Sequence, residues 1–344
     1  MPEKPHAAPP PRLTVQLTRY LPPLLLGGLA VHLLLPQITT FEHSLHVIRG
    51  MTWWAAGLAV VAQVLSYLGS GYLLQAIVAV VGQRLSVVRS TLIATAAYSV
   101  GLVAGGMVGN AAATYRWVRG SGVNAEGGLL AGWLPNLFYD GILVIVSIFG
   151  LVYLLLVHKL TALQVISFVL ILSVLGLVVG AVLWGVRRRP QLTTLAIRVA
   201  RRWAALRRRP YELTTTQAAT ERLFRAWDIL RAGGWRGPAL GATLNTVFDM
   251  LALYFLFVAA GHAVSPGVLL AGYGLPLLLG KAPLLPGGVG IVESTMVALY
   301  NGLSVPGGVT VVVILTYRFL SFWLPTLLGF PLIPYLQRGS EGAH

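Results

Sequence analysis

No cysteine occurs among the 344 residues, so disulfides, thiolate metal sites and thiol catalysis are excluded. Charge is nearly as scarce. Asp, Glu, Lys and Arg make up 10% of the chain, against about 25% in an average soluble domain, and 56% of it is hydrophobic. That balance excludes a water-soluble fold. The ten acidic residues stand too far apart in sequence to name a general acid–base pair, and the seven histidines show no HExxH or comparable ligand spacing. No enzymatic activity, metal or other cofactor is therefore expected. An intramembrane enzyme would need a clustered acid–base set at one interface, and the sequence contains none. Residues 274–281 end in Gly280-Lys281 and faintly resemble a phosphate loop, but the spacing is one residue too long and Ala282 replaces Ser or Thr.

What the sequence does have is apolar length. Segments at 20–35, 51–82, 86–105, 123–157, 161–186, 237–262, 265–285 and 307–337 are candidates for membrane helices, since about 20 residues cross a hydrocarbon core of roughly 30 Å. Two Gly-rich stretches, 106–120 and 286–304, are too polar or too short to be ordinary spans.

The formal net charge is +15, but its location matters more than its sign. Thirteen of the 25 Lys and Arg fall within 187–236, against Glu212, Glu221 and Asp228. One basic segment of this kind marks a cytoplasmic loop under the positive-inside rule and argues against nucleic-acid binding. With that loop inside, the Arg and Lys count is best satisfied when 86–120 and 265–304 are helical hairpins that enter and leave on the same side. Both termini then face the cytoplasm. The Pro-rich start MPEKPHAAPPPR lacks the pattern of a signal peptide and is expected to be a floppy tail.

Gly105-Gly106 stands 17 residues before Gly122-Val123, as Gly287-Gly288 does before Ser304-Val305, and Trp-Leu-Pro recurs at 133–135 and 323–325. The expected fold is thus all-α: a polytopic membrane bundle of two inverted repeats, each containing a broken or re-entrant helical hairpin. Its parts are a tail at 1–18, a first half at 19–186, the basic loop at 187–236, a second half at 237–338 and a tail at 339–344. Broken helices at matching places in inverted halves mark a transport site near the midplane, although Gly-rich apolar sequence also matches itself easily.

Ionisable groups inside spans cost roughly 2.5–3.5 kcal/mol each on insertion scales, so each needs a partner, a cavity or a purpose. Asp140, Asp249, Lys281, Glu293 and Arg318 are such groups. Glu293 follows the breaker in PGGVGIVE (286–293), and Arg318 lies in the next span, so a Glu293–Arg318 pair is expected, either purely structural or part of substrate handling. Lys281 either snorkels or pairs with Asp249. Asn136 and Asp140, like Asn245 and Asp249, are four residues apart and share a helix face, which serves to glue helices together or to line a hydrated groove. In the basic loop, Leu192, Leu195, Val199, Trp203 and Leu206 recur at helical spacing with Arg on the other face, the pattern of a helix lying on an anionic membrane surface.

The stretch 284–329, with its PGG-x-G-x-x-E and late Tyr-Arg pattern, resembles the lysylphosphatidylglycerol synthase transmembrane, or flippase-like, family. The resemblance implies a multi-pass protein of the prokaryotic cell membrane, related to the lipid-flipping half of multiple peptide resistance factors. It carries Pro286, Gly287, Gly288, Gly290, Glu293 and Arg318 over as motif positions. The first half departs from the motif: no proline precedes Gly105-Gly106, and Asn110 stands where the second half heads toward a glutamate. Synthase activity is not expected, because the soluble aminoacyl-transferase domain is absent. The expected function is a lipid flippase or scramblase for a polar-headed, anionic or aminoacylated lipid, with the headgroup passing Asp140, Asp249, Lys281, Glu293, Arg318, Asn136, Asn245 and Arg116. Movement is downhill or ion-coupled, with Glu293 as the protonating group. The alternative is a non-transporting scaffold for a lipid-modifying enzyme. Expected partners are membrane phospholipids, with such an enzyme or a second copy of the chain as further candidates.

Overall fold

The computed structural model describes residues 49–103, 106–156, 187–206, 230–281 and 286–341, with isolated positions at 173, 180, 184, 221, 224, 225, 227 and 228. The spans expected at 20–35 and 161–186 otherwise fall outside the described residues, as does Gly105. Among the described residues the structure is all-helical.

Among the described residues, four units are long and apolar enough to cross a membrane. They are α1 (Trp53–Val80), α4 (Ala125–Leu156), α6 (Arg236–Ala259) and the continuous rod Gly307–Gln337. That rod consists of α9 (Gly307–Arg318), a π-helical turn (Phe319–Trp323) and the start of α10 (Leu324–Glu341). The shorter helices are α2 (Val87–Val103), α3 (Met107–Arg119), α7 (Pro266–Leu279) and α8 (Ile291–Gly302), and α5 (Arg189–Leu206) belongs to the basic loop.

Burial is inverted relative to a soluble protein. Leu58, Val61, Phe149, Leu155, Leu327 and Phe330 are exposed, while Gln63, Ser99, Thr246, Asp249, Glu293 and Arg318 are buried. An apolar surface of this extent is stable only against lipid. Where apolar surface has no reason to leave its solvent, helices associate through close packing of small residues. The α1–α6 seam shows this: a Cβ on Gly69 would lie 2.6 Å from the Asn245 backbone nitrogen, and one on Gly241 would lie 2.6 Å from Leu73 Cα. Both backbones are in contact, and only glycine fits.

Hydrogen bonds fix which ends of the helices meet. At one end of the bundle, the Thr52 N–H donates to Ala259 O at 2.8 Å and Tyr153 meets the Ser265 hydroxyl at 3.3 Å, so α1 begins where α4 and α6 end and α7 starts. At the other end, the Asn124 N–H donates to Gln83 Oε1 at 2.7 Å and Arg89 Nε donates to Ser121 Oγ at 2.8 Å. These bonds tie the entry of α2 to the exit of α3, so the pair is a hairpin closed at that end. The second hairpin, α7 and α8, closes at the first end: the Tyr300 ring packs at a tilt against Phe257, centroids 4.7 Å apart, and Leu299 and Leu303 pack with Leu151 and Leu154. The two hairpins therefore open at opposite ends of the bundle.

Candidate functional site

The tips of both hairpins line one cavity of about 880 Å³. Gly101, Val103 and Gly106 come from the first tip, and Gly280, Lys281 and Gly287 from the second. Its volume lies within the roughly 300–1,000 Å³ of small-molecule sites. Pro135 and Pro325, the prolines of the two Trp-Leu-Pro repeats, lie on the same wall. Three sets of charged groups surround it.

The first is built on the helix breaker. Gly287 and Gly288 have φ of 68° and 64°, and a Cβ on Gly288 would lie 2.7 Å from the Gly280 backbone, so the turn requires glycine. Gly290 N–H donates to Glu293 Oε2 at 2.6 Å, which closes a cap at the start of α8. The other carboxylate oxygen accepts from Arg318 Nε at 2.6 Å, and Arg318 Nη2 donates to Gly287 O at 3.1 Å. Arg318 thus clamps the breaker from both sides, with its guanidinium 4.5 Å from the centre of the Phe322 ring. The expected Glu293–Arg318 pair is present and buried. Arg318 lines the cavity; Glu293 stands behind it with both oxygens occupied.

In the second set the structure corrects one expected partner. Lys281 pairs with Asp140, Nζ to Oδ1 at 2.8 Å, rather than with Asp249, and its ammonium lies 4.8 Å over the Tyr139 ring. The reason is local: α7 ends at Leu279, and Lys281, just past that end, falls beside α4, along which α7 packs.

The third set is centred on Asp249. Gln63 Nε2 donates to its Oδ1 at 2.9 Å, and the Tyr273 and Tyr317 hydroxyls donate to Oδ2 at 2.8 and 2.6 Å. One turn earlier, Asn245 Nδ2 donates to the Ser66 carbonyl and hydroxyl, both at 2.9 Å. Asn245 and Asp249 therefore share the face toward α1, as their spacing requires, and both line the cavity, Asn245 also joining α6 to α1 through Ser66. Asn136 also lines the cavity, whereas Asp140 is turned to Lys281.

Arg116 does not join the site. On α3, Asn110 and Thr114 line the cavity, and Arg116, about 200° further round the helix than Thr114, is exposed elsewhere. Sequence reasoning missed Gln63, Tyr98 and Tyr273, while Tyr317 entered only as part of the Tyr-Arg pattern and Tyr139 only as the neighbour of Asp140. A signal for Gln63 exists: it is the polar residue on the small-residue stripe Ala55, Ala59, Ala62 and Ser66 that buries against α6. Tyr98 and Tyr273 carry no such mark.

A family profile described as the lysylphosphatidylglycerol synthase TM region matches residues 23–329. The chain belongs to that family. It is also similar to several curated relatives. One is a UPF0104 membrane protein of Methanothermobacter thermautotrophicus, 33% identical over 89 residues, 26% of each chain. Others are UPF0104 membrane protein MJ1595 of Methanocaldococcus jannaschii, 28% identical over 114 residues (33% of this chain and 32% of that one), and UPF0104 membrane protein PH1989 of Pyrococcus horikoshii, 33% identical over 81 residues (24% of each). The matched stretches span about a quarter to a third of these relatives. With several apolar helices and this family assignment, the protein is a multi-pass membrane protein. The family is a transmembrane region, and the breaker motif at 286–293 with Arg318 falls inside the matched residues.

Proposed function

We propose that the protein carries a polar-headed membrane lipid between leaflets, with the headgroup in the cavity and the acyl chains in the bilayer. The observation that carries this reading is a single cavity lined by the tips of two hairpins that open at opposite ends of the bundle. Such a cavity is reached from either leaflet by small movements of one hairpin at a time. Arg318 and Lys281 on its wall suit an anionic phosphate, and the aromatic and aliphatic remainder suits the lipid backbone. On this reading the two halves form an inverted repeat, and the basic loop and both termini lie on the cytoplasmic side of a prokaryotic cell membrane.

Reconstitution in liposomes tests it. The purified protein is expected to equilibrate headgroup-labelled anionic lipid between leaflets faster than empty vesicles do. Folded protein that retains bound lipid but exchanges no anionic, zwitterionic or aminoacylated lipid would favour a scaffold that presents lipid to a partner.

A further inference from the structure

Of the charged groups around the cavity, Arg318 is paired with Glu293 and Lys281 with Asp140, whereas Asp249 has no ion pair among the described residues. Its three hydrogen-bond donors, Gln63, Tyr273 and Tyr317, are all neutral, so the carboxylate is well solvated by protein but its charge is not cancelled. Two cations and three carboxylates leave the site one net negative charge, which repels an anionic headgroup.

A second observation concerns Gln63. This side chain is 2% exposed, and its Oε1 is buried without a hydrogen-bond partner. A buried amide oxygen left unpaired needs an explanation. Rotation of the amide about its last torsion exchanges Nε2 and Oε1, turning a donor to the carboxylate into an acceptor from the carboxylic acid. The tyrosine hydroxyls likewise donate or accept as required. The carboxyl group of Asp249 therefore keeps its hydrogen-bond partners in both protonation states.

We propose that Asp249, with Gln63 as its amide switch, is a proton-binding site on the cavity wall and that this proton is the coupling ion for headgroup movement, an inference that rests on the lipid-transport reading. The proton passes from cavity water to Oδ1, the amide rotates, and the carboxylic O–H donates to Gln63 Oε1. The net negative charge of the site is removed. An anionic headgroup and the proton then each favour binding of the other, and by linkage the coupling is reciprocal. Glu293 is the poorer proton site, because a proton there would leave the buried Arg318 guanidinium without its counter-charge. The other titratable or charged groups that face Asp249 are Tyr67 from α1, Tyr98 from α2, Tyr139 from α4, Tyr273 from α7, and Tyr317 and Arg318 from α9; beyond Tyr139 lies the Lys281–Asp140 pair.

The test uses the full chain in phosphatidylglycerol–phosphatidylcholine vesicles, with leaflet exchange of labelled phosphatidylglycerol measured with and without an imposed pH gradient. The gradient is expected to accelerate exchange several-fold. Asp249→Asn is expected to exchange at one rate under both conditions. Tyr273→Phe removes one donor to the carboxylate and keeps the ring, so the pH midpoint of exchange should move up by about one unit. Wild-type exchange indifferent to the gradient, or an Asp249→Asn protein that still responds to it, would overturn the proton site and leave lipid transport standing. If Asp249→Asn does not fold, an unmoved midpoint in Tyr273→Phe overturns it. Absence of any lipid exchange by folded protein would remove the transport reading and the proton with it.

Discussion

At the scale of single residues, the Arg318 clamp and the Lys281–Asp140 pair differ in kind. The clamp is buried and holds the backbone of the breaker as well as a carboxylate. Replacing Arg318 with Met strands Glu293 without its cation, and about 3–5 kcal/mol of stability should be lost. Much of that loss should return in the double variant Arg318→Met/Glu293→Gln; thermal unfolding of the three proteins in detergent measures it. Lys281 and Asp140 are each about a third exposed, at 38% and 32% of their side chains. Lys281→Met should cost less stability than Arg318→Met, since this pair is the more exposed of the two. Lipid exchange should nevertheless fall several-fold, because a cation is removed from the cavity wall. A proportional fall in both quantities would assign Lys281 a structural role only.

At the scale of elements, the breaker and the α1–α6 seam depend on the absence of side chains. Gly288→Ala places a Cβ against the Gly280 backbone in a left-handed conformation, and a loss of about 2–3 kcal/mol is expected from the two penalties together. Gly241→Ala should cost about 1–3 kcal/mol by separating α6 from α1, with backbone rather than a flexible side chain in the way. Denaturant or thermal melts compare the two with Gly57→Ala, whose Cβ meets nothing within 4 Å and which should be nearly neutral. The breaker was legible in the sequence, because PGG-x-G is a strong interruption of an apolar run. The seam was not, since a small residue on a helix gives no indication of which neighbour approaches it.

At the scale of the whole molecule, the absence of cysteine makes topology directly measurable, as each introduced thiol is the only one. On the proposed orientation, His262→Cys and Gly302→Cys, at the closed end of the second hairpin, should react with a membrane-impermeant maleimide on intact cells. Ser121→Cys, at the closed end of the first, and Arg198→Cys on α5 should react only after permeabilisation. Labelling of His262→Cys and Gly302→Cys from opposite sides would show that the second hairpin crosses the membrane fully.

The sequence by itself determined the solvent of the fold, the places of the breaks and the pairing of Glu293 with Arg318. These follow from local quantities: mean hydropathy, the lack of a side chain at glycine, and the cost of an unpaired charge close to the chain's own breaker. Only the tertiary structure decided that Lys281 meets Asp140, that Asp249 is held by Gln63 and two tyrosines, that Arg116 lies away from the cavity, and that both hairpin tips share one cavity. Each of these depends on which helices are neighbours and how they are rotated. In an apolar solvent those choices are made by close packing of small residues and by hydrogen bonds between distant segments, and neither leaves a periodic mark on the sequence.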